Sequence, residues 1–155
     1  VSVKPIYQIA AIKVENGAVA SKFQSFIRPW EGGEACRKSA AKEAGVPLSI
    51  IEGAEDVDQV MGKFFDFVGS AVLVSTGALG EQAKLLCRAA RYSGMKSLPN
   101  ELYDLLDFAG EIDSKFDFKS RTELLEMLSI AEGADALGKS NTNVVLYNAL
   151  TNYGA

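Results

Sequence analysis

Residues 6–28 decide the fold, and they read IYQIAAIKVENGAVASKFQSFIR. The first part, residues 6–14, is rich in β-branched side chains, which favour an extended strand. The Asn16-Gly17 pair that follows is typical of a type I′ turn, because both residue types tolerate a positive φ. A second strand is predicted from about residue 20 to Arg28. The stretch therefore predicts two antiparallel strands joined by a tight turn.

Downstream of this hairpin, helical and extended patterns alternate. Apolar side chains recur at three- and four-residue spacing over residues 57–68 behind Asp56, which predicts a capped amphipathic helix. Residues 71–74 read Ala-Val-Leu-Val and predict a short strand buried on both faces. The other predicted segments are short helical pieces over 30–54, a helix over 78–92, a strand or strand-to-helix segment over 102–109, a helix from 119 or 120 to 128, and a last helix over 142–152 capped by Asn141. Together they predict one mixed α/β domain over residues 1–155.

The amino-acid composition indicates the cellular compartment in which we expect the protein. The chain has 155 residues, a net charge of −4, two cysteines and no histidine. Two cysteines make no framework of disulfides, so we expect an intracellular, reducing compartment, the cytoplasm. No apolar run approaches the roughly 20 residues that a membrane span needs, so no membrane partner is expected. The chain begins at Val1 without the apolar core of a signal peptide, which suggests a piece excised from a longer chain.

The lack of histidine in the sequence excludes several kinds of chemistry. Histidine is the commonest general base and transition-metal ligand, and it completes Ser-His and Cys-His pairs. The acidic balance argues against a protein that coats nucleic acid non-specifically, but it allows a local basic patch. Lys84, Arg88 and Arg91 lie at i, i+4 and i+7 of the predicted 78–92 helix. This basic stripe is either a solvated face or a strip that contacts nucleic-acid phosphates.

Two glycine-bearing stretches resemble phosphate-binding loops. Residues 133–140, GADALGKS, satisfy the form G-x-x-x-x-G-K-[ST]. That loop needs a strand before it, whereas a predicted helix precedes it here. Residues 75–81, STGALGE, form a strand-to-helix turn whose N–H groups can hold a phosphate, but they lack the spacing of a dinucleotide site. The sequence favours a helix connection in the first case and a tight turn in the second, with a nucleotide-phosphate binder as the competing interpretation.

Several segments together resemble the DnaQ-like 3′-to-5′ exonucleases, the superfamily of the proofreading epsilon subunit of bacterial DNA polymerase III. Residues 6–17 resemble the family's second strand and hairpin, and residues 23–29 resemble its third strand. The other matching segments are 44–54, 64–74, 100–106 and 119–130. The resemblance implies an α/β, ribonuclease H-like fold, in which helices flank a mixed sheet and the first strand is missing or altered.

The resemblance also locates the family's catalytic motifs on this chain. Active members hold two Mg²⁺ or Mn²⁺ ions with four carboxylates and activate water with a histidine or a tyrosine. The first two acids come from an Asp-x-Glu strand before the hairpin, and residues 1–5 contain no acid. The third motif corresponds to Thr76 through Glu81, and the last to Gly138 and Asn143. The resemblance therefore implies degenerate motif positions at Thr76, Glu81, Gly138 and Asn143, with no metal ligand set and no metal cofactor.

These matches predict a catalytically degenerate exonuclease-like domain that binds single-stranded nucleic acid or a protein partner. Lys84, Arg88 and Arg91 are its candidate nucleic-acid contacts. The alternative is an active metal-dependent 3′-to-5′ exonuclease on single-stranded DNA or RNA ends, which needs an Asp-x-Glu strand from a longer parent and a ligand set around Glu81. A missing first strand would also leave an open sheet edge, which favours pairing with another chain.

Overall fold

The computed structural model describes residues 6–76, 81–95 and 98–154, and within α4 it leaves the side chains of residues 81–83 undescribed. Strands and helices alternate along these ranges, which confirms the predicted mixed α/β class. In chain order the elements are β1 (Gln8–Glu15), β2 (Ala18–Phe26), α1 (Gly33–Ala44), α2 (Leu48–Glu52), α3 (Val57–Val68), β3 (Leu73–Ser75), α4 (Glu81–Tyr92), β4 (Leu102–Asp104), α5 (Leu105–Ile112), a short 3₁₀ turn (Ser114–Phe116), α6 (Arg121–Met127) and α7 (Ala136–Thr151).

The predicted hairpin is present. β1 and β2 pair antiparallel from Gln8 opposite Phe26 to Glu15 opposite Ala18. Asn16 and Gly17 have φ values of 52° and 78°, the positive values that a type I′ turn requires. The hairpin is anchored by Ile27, which directly follows β2 and is fully buried.

A second pair of strands lies apart from the hairpin. β3 and β4 pair parallel over three residues, from Leu73 opposite Leu102 to Ser75 opposite Asp104. β4 runs straight into α5, because the Asp104 carboxylate accepts a hydrogen bond from the Leu106 N–H at 2.9 Å and caps the helix. The 102–109 segment is therefore a strand that continues as a helix, one of the two predicted alternatives. Among the described residues the sheets are thus two separate strand pairs.

The predicted burial of residues 71–74 on both faces is wrong. Val72 is 50% exposed and Val74 is 40% exposed. The physical reason is that, among the residues the structure describes, β3 pairs with β4 alone, and it also borders a large cavity. Residues 71–74 therefore have the apolar sequence of a central strand, but β3 lies at the edge of the described β3–β4 pair.

The predicted start of the last helix is also wrong. α7 begins at Ala136, six residues earlier than predicted, and its cap is Asp135, whose carboxylate accepts from the Gly138 N–H at 2.7 Å. Gly138 and the polar run after it have modest helix propensity, so the pattern did not indicate a helix there. The side-chain cap and the packing of Gly138 against Gly133 outweigh that propensity. Residues 78–80 of the predicted 78–92 helix lie outside the described residues.

Within the described ranges, the core consists of three apolar clusters. In the first, the predicted inner face of α3 packs against the hairpin end and α4, and Val60, Met61 and Phe64 are each at most 3% exposed. The second joins α5, α6 and α7, and the third joins α1 and α2. In the part of the chain that the structure describes, no helix combines the length and apolar character of a membrane span.

Candidate functional site

Two of the four degenerate motif positions meet at one arginine. Thr76 directly follows β3, and Asn143 lies in the second turn of α7. The Nη1 group of Arg121 donates to Thr76 Oγ1 at 2.7 Å and also to Asn143 Oδ1. Gly138 lies five residues before Asn143 on α7, and Glu81 is the first residue of α4, with its side chain outside the described part.

The same guanidinium is held from its other side by Glu132. Arg121 Nε donates to Glu132 Oε2 at 2.6 Å, and Nη2 donates to Glu132 Oε1 at 2.9 Å, which makes a two-pronged ion pair. Nη2 also reaches the Lys139 carbonyl oxygen at 3.3 Å. The Arg121 side chain is only 21% exposed. We call this group the Arg121 network: Arg121, Thr76, Glu132, Asn143 and the Lys139 carbonyl.

Local structure places both charged partners of the network. Arg121 is the first residue of α6, which Ser120 caps by accepting from the Glu123 N–H at 3.1 Å. Glu132 lies in the connection to α7, and the next N–H, that of Gly133, donates to Thr142 Oγ1 at 2.9 Å. The connection is therefore fastened to α7, and the Glu132 carboxylate is held beside the guanidinium.

Sequence reasoning missed Arg121 and Glu132. Arg121 is separated from Glu132 by 11 residues, from Asn143 by 22 and from Thr76 by 45. Such contacts leave no spacing pattern in a single sequence, because they depend on how α6 and α7 pack beside β3. The only local indication was a charged residue at the start of a predicted helix.

The electrostatics of the network depend on ionised Glu132. Its hydrogen bonds from Arg121 hold the pKa of Glu132 below the ordinary value of 4.5, and partial burial opposes this shift only in part. A carboxyl whose pKa is lower in the folded chain adds stability above its unfolded pKa, and that stability is lost as the pH falls through the folded pKa.

We therefore expect Glu132→Gln to lower the free energy of unfolding at pH 7. This loss of stability should become smaller as the pH is lowered. Urea unfolding of the parent chain and of Glu132→Gln, compared from pH 7 to pH 3, measures the difference. The difference in unfolding free energy between the two chains is expected to be constant at pH values above 4.5, the ordinary pKa of a glutamate carboxyl, and to decrease at lower pH. A difference that grows on acidification would show that Glu132 is not stabilised as a carboxylate.

The described residues at this place do not fit the metal pair that the resemblance implies. Within residues 6–76, 81–95 and 98–154 there is no group of three or more His, Cys, Asp or Glu that can hold a metal ion. Thr76 and Asn143 point their oxygens at a guanidinium instead, and a divalent cation beside that charge is repelled. Two divalent ions need several carboxylates to neutralise them.

The position that corresponds to the family's histidine is packed closely. A Cβ atom added at Gly138 would lie 2.9 Å from Asp135 Oδ1 and 3.3 Å from the Gly133 Cα. Two of the N–H groups that a phosphate loop over 133–140 would offer are already used, since Gly133 donates to Thr142 and Gly138 donates to Asp135. A loop after α6, rather than a strand, precedes Gly133. The stretch is a helix connection, as the sequence favoured.

The basic stripe of α4 divides into two kinds of side chain. Lys84 and Arg91 are exposed, whereas Arg88 is half-buried with its guanidinium 5.8 Å from the centre of the Trp30 ring. Trp30 also stacks on Tyr92 at a centroid distance of 4.8 Å, and Tyr92 is 57% exposed. We define the α4 surface as the exposed side chains of Lys84, Arg91 and Tyr92, together with Trp30, which stacks on Tyr92, and Arg88, which lies over the Trp30 ring. This surface combines exposed cations with an exposed aromatic ring.

The hairpin, the parallel strand pair and the flanking helices together form the ribonuclease H-like fold of 3′-exonucleases. A 3′-exonuclease solved in recognition of the 3′ end of a histone mRNA stem-loop matches 97% of this chain and 66% of its own, with a TM-score of 0.65 and 16% identity. Exonuclease X in complex with 5′-overhanging duplex DNA matches 97% of this chain and 86% of its own, with a TM-score of 0.60 and 12% identity. At these identities the likeness shows the fold.

Sequence comparison points to the same superfamily. No protein-family model matches the chain. The DNA polymerase III PolC-type of Halalkalibacterium halodurans is 28% identical over 102 residues, and that of Listeria welshimeri is 25% identical over 104 residues. The match covers 66% of this chain but only 7% of the Halalkalibacterium polymerase. Sequence and fold together confirm the predicted resemblance to the DnaQ-like exonuclease superfamily.

Proposed function

We propose that this chain is an exonuclease-like domain that binds single-stranded nucleic acid without hydrolysing it. The observation that carries the proposal is the Arg121 network. One guanidinium bonds to both Thr76 and Asn143, which correspond to positions of the last two catalytic motifs of the family. A resident cation there repels a divalent ion, and an arginine does not act as a general base because it stays protonated.

The chemistry of the reaction supports the same conclusion. A missing general base alone slows a reaction by about 10² to 10⁴. The metal pair stabilises both the attacking and the leaving oxygen in the transition state. Its loss therefore raises the activation barrier for hydrolysis in addition to the loss of the general base. The two losses together leave binding as the activity that this fold retains.

We expect no shortening of a 5′-labelled single-stranded DNA in millimolar Mn²⁺, and no heat of Mn²⁺ binding in a calorimetric titration. The measurement is product length on a denaturing gel over hours. Progressive loss of 3′ nucleotides would support the active alternative, provided that Glu81→Gln abolishes it. Trimming that persists unchanged in Glu81→Gln comes from a contaminating nuclease. The Mn²⁺ titration then decides between the non-hydrolysing domain and the active exonuclease.

The α4 surface is the part of the chain best suited to hold the nucleic acid. Single strands are bound by cations that track the phosphates and by aromatic rings on which bases stack. Lys84 and Arg91 supply the first kind of contact, and Tyr92, fixed against Trp30, supplies the second. Exonuclease X was solved with duplex DNA and the histone mRNA 3′-exonuclease with an RNA stem-loop, which supports a nucleic-acid ligand for this fold.

We expect the double variant Lys84→Ala/Arg91→Ala to bind a labelled oligo-dT more weakly and with less salt dependence. Each phosphate contact on a single strand contributes about 0.7 to the slope of log affinity against log salt, so the slope should decrease by about 1.4. Fluorescence anisotropy at several salt concentrations measures both. The matched control is Lys38→Ala/Lys42→Ala on α1, which removes the same charge and should leave the slope unchanged. Equal losses in both variants would remove α4 from the proposal.

The compartment stays part of the proposal. Cys36 and Cys87 are both free thiols in the structure. Free thiols persist in a reducing environment, which supports a cytoplasmic location.

A further inference from the structure

Among the described residues, Phe118 has the highest exposure of any large apolar side chain. It is 103% exposed, so its ring is as accessible to water as in an unfolded chain. Phe116, two residues earlier, is only 2% exposed and belongs to the core. The Phe118 ring therefore adds nothing to the packing of the fold.

The backbone of Phe118 is in the left-handed region, with φ at 59°. Asp117, directly before it, has φ −59° and ψ 139°, and the Lys119 N–H donates to the Phe116 carbonyl at 3.4 Å. These values describe a type II turn in which Phe118 takes the third position, where glycine or asparagine is usual. A residue with a Cβ atom is strained there. The phenylalanine therefore costs conformational energy that its ring does not recover by packing.

The turn is fixed by contacts on both of its sides. Before it, the Asp113 carboxylate accepts from the Lys115 N–H at 3.0 Å, and the Phe116 ring packs against Tyr153 at a centroid distance of 5.2 Å. After it, the Ser120 side chain caps α6. The exposed ring is thus presented by a well-defined turn. Strain held in place by its surroundings is typical of functional positions.

The turn also lies beside the motif positions. Phe118 is three residues before Arg121, so the two Cα atoms are at most about 11 Å apart. The Arg121 guanidinium in turn bonds to Thr76 and Asn143. A nucleic-acid strand that passes the motif positions therefore comes within reach of the Phe118 ring.

The surroundings of Phe118 favour a nucleobase over a protein surface as the occupant. The charged side chains of the turn are two acids and two bases: Asp113, Asp117, Lys115 and Lys119. A single ring among charged side chains does not make the contiguous apolar patch of several hundred Å² that marks a protein-binding site. A base needs only one ring, because stacking uses the π-face that every base has. The turn adds no net charge, so the phosphates are left to the α4 surface.

We infer that Phe118 stacks on an unpaired base and thereby makes this domain prefer single-stranded over double-stranded nucleic acid. The inference rests on the proposed function and adds to it the residue that selects the ligand. Inside a duplex each base is stacked on both faces by its neighbours, whereas a single strand leaves faces free. Phosphates are common to both forms, so Lys84 and Arg91 contribute affinity without this preference.

Fluorescence anisotropy of a labelled oligonucleotide, alone and annealed to its complement, tests the inference. Phe118→Ala is expected to weaken single-strand binding at least fivefold, the equivalent of about 1 kcal/mol for one lost stack, and to leave duplex binding unchanged. Phe118→Trp should retain the single-strand affinity. Phe118→Leu should not, because leucine is apolar but has no π-face. The matched control is Ile50→Ala on α2, which removes another exposed apolar side chain and should change neither affinity.

The variant Phe118→Gly separates binding from folding. Glycine adopts a positive φ without strain, so this variant should melt at a temperature no lower than that of the parent chain. Its single-strand affinity should nevertheless decrease as much as that of Phe118→Ala. A melting temperature well below that of the parent would mean that the ring supports the fold, and it would overturn the inference.

Three binding results would also overturn it: an unchanged single-strand affinity in Phe118→Ala, an equal loss for single strand and duplex, or a dimer in light scattering that Phe118→Ala dissociates. The last result would assign the ring to a second copy of the chain. If the parent chain binds neither form of nucleic acid, the proposed function fails together with this inference. If the Lys84→Ala/Arg91→Ala variant weakens binding and Phe118→Ala does not, only this inference fails.

Discussion

Replacement of Arg121 by alanine is expected to lower the free energy of unfolding by about 3 kcal/mol, because it removes the guanidinium that donates to the Glu132 carboxylate and to the oxygens of Thr76 and Asn143. The side chain is only 21% exposed, so water replaces the lost hydrogen bonds incompletely. Urea unfolding monitored by circular dichroism measures the change.

Two further variants make this result specific to the network. Arg121→Lys should recover little of the loss, since a lysine is a single point donor that cannot reproduce the two-pronged pair with Glu132. Lys63→Ala removes a different ion pair, with Glu55, in which the side chains are 58% and 43% exposed, and it should cost less than about 1 kcal/mol. Equal effects of Arg121→Ala and Lys63→Ala would mean that the network is an ordinary surface ion pair.

Replacement of Gly133 by alanine is expected to destabilise the chain by about 3 kcal/mol, at the upper end for overpacking. A Cβ atom there would lie 2.1 Å from the carbonyl carbon of Gly138 and 2.2 Å from its oxygen. These are backbone atoms of α7, so no side chain can rotate away, and the connection that carries Glu132 must move. Thermal and urea unfolding both report the loss.

The control for Gly133→Ala is the same substitution at an unobstructed site. Gly62 lies inside α3, and no atom within 4 Å opposes an added Cβ there. Gly62→Ala should therefore stabilise the chain by roughly 0.5 to 1 kcal/mol, through the higher helix propensity of alanine. Opposite signs for the two variants are the expected outcome. A neutral Gly133→Ala would show that α7 does not depend on its close approach to Gly133.

Sequence patterns predicted those elements whose stabilising contacts are local. The Asn16-Gly17 turn was predictable because both residues adopt a positive φ that few other residues tolerate. The apolar face of α3 was predictable because its buried residues recur at helical spacing behind the Asp56 cap. The start of α7 was not, because the Asp135 cap and the Gly133 contact outweigh the modest propensity of the residues that follow.

The resemblance to exonucleases also came from the sequence, since it rests on the order and spacing of segments. The candidate site did not follow from it completely: the motif positions Thr76 and Asn143 were located, but the residue that joins them was not. Lys84 and Arg91 were predicted as a basic stripe from helical spacing, while the aromatic support under Arg88 comes from Trp30, which lies before α1.

By itself, then, the sequence determined the hairpin, the amphipathic helices, the order of the elements and the lack of a histidine in any catalytic role. Each of these depends on neighbouring residues or on composition. Only the tertiary structure decided that Arg121 stands between the two motif positions and that the apolar strands β1 and β3 line the same cavity. The reason is physical: a single sequence encodes the backbone pairing and the apolar face of each element. Contacts that span 22 to 45 residues exist only once the elements pack.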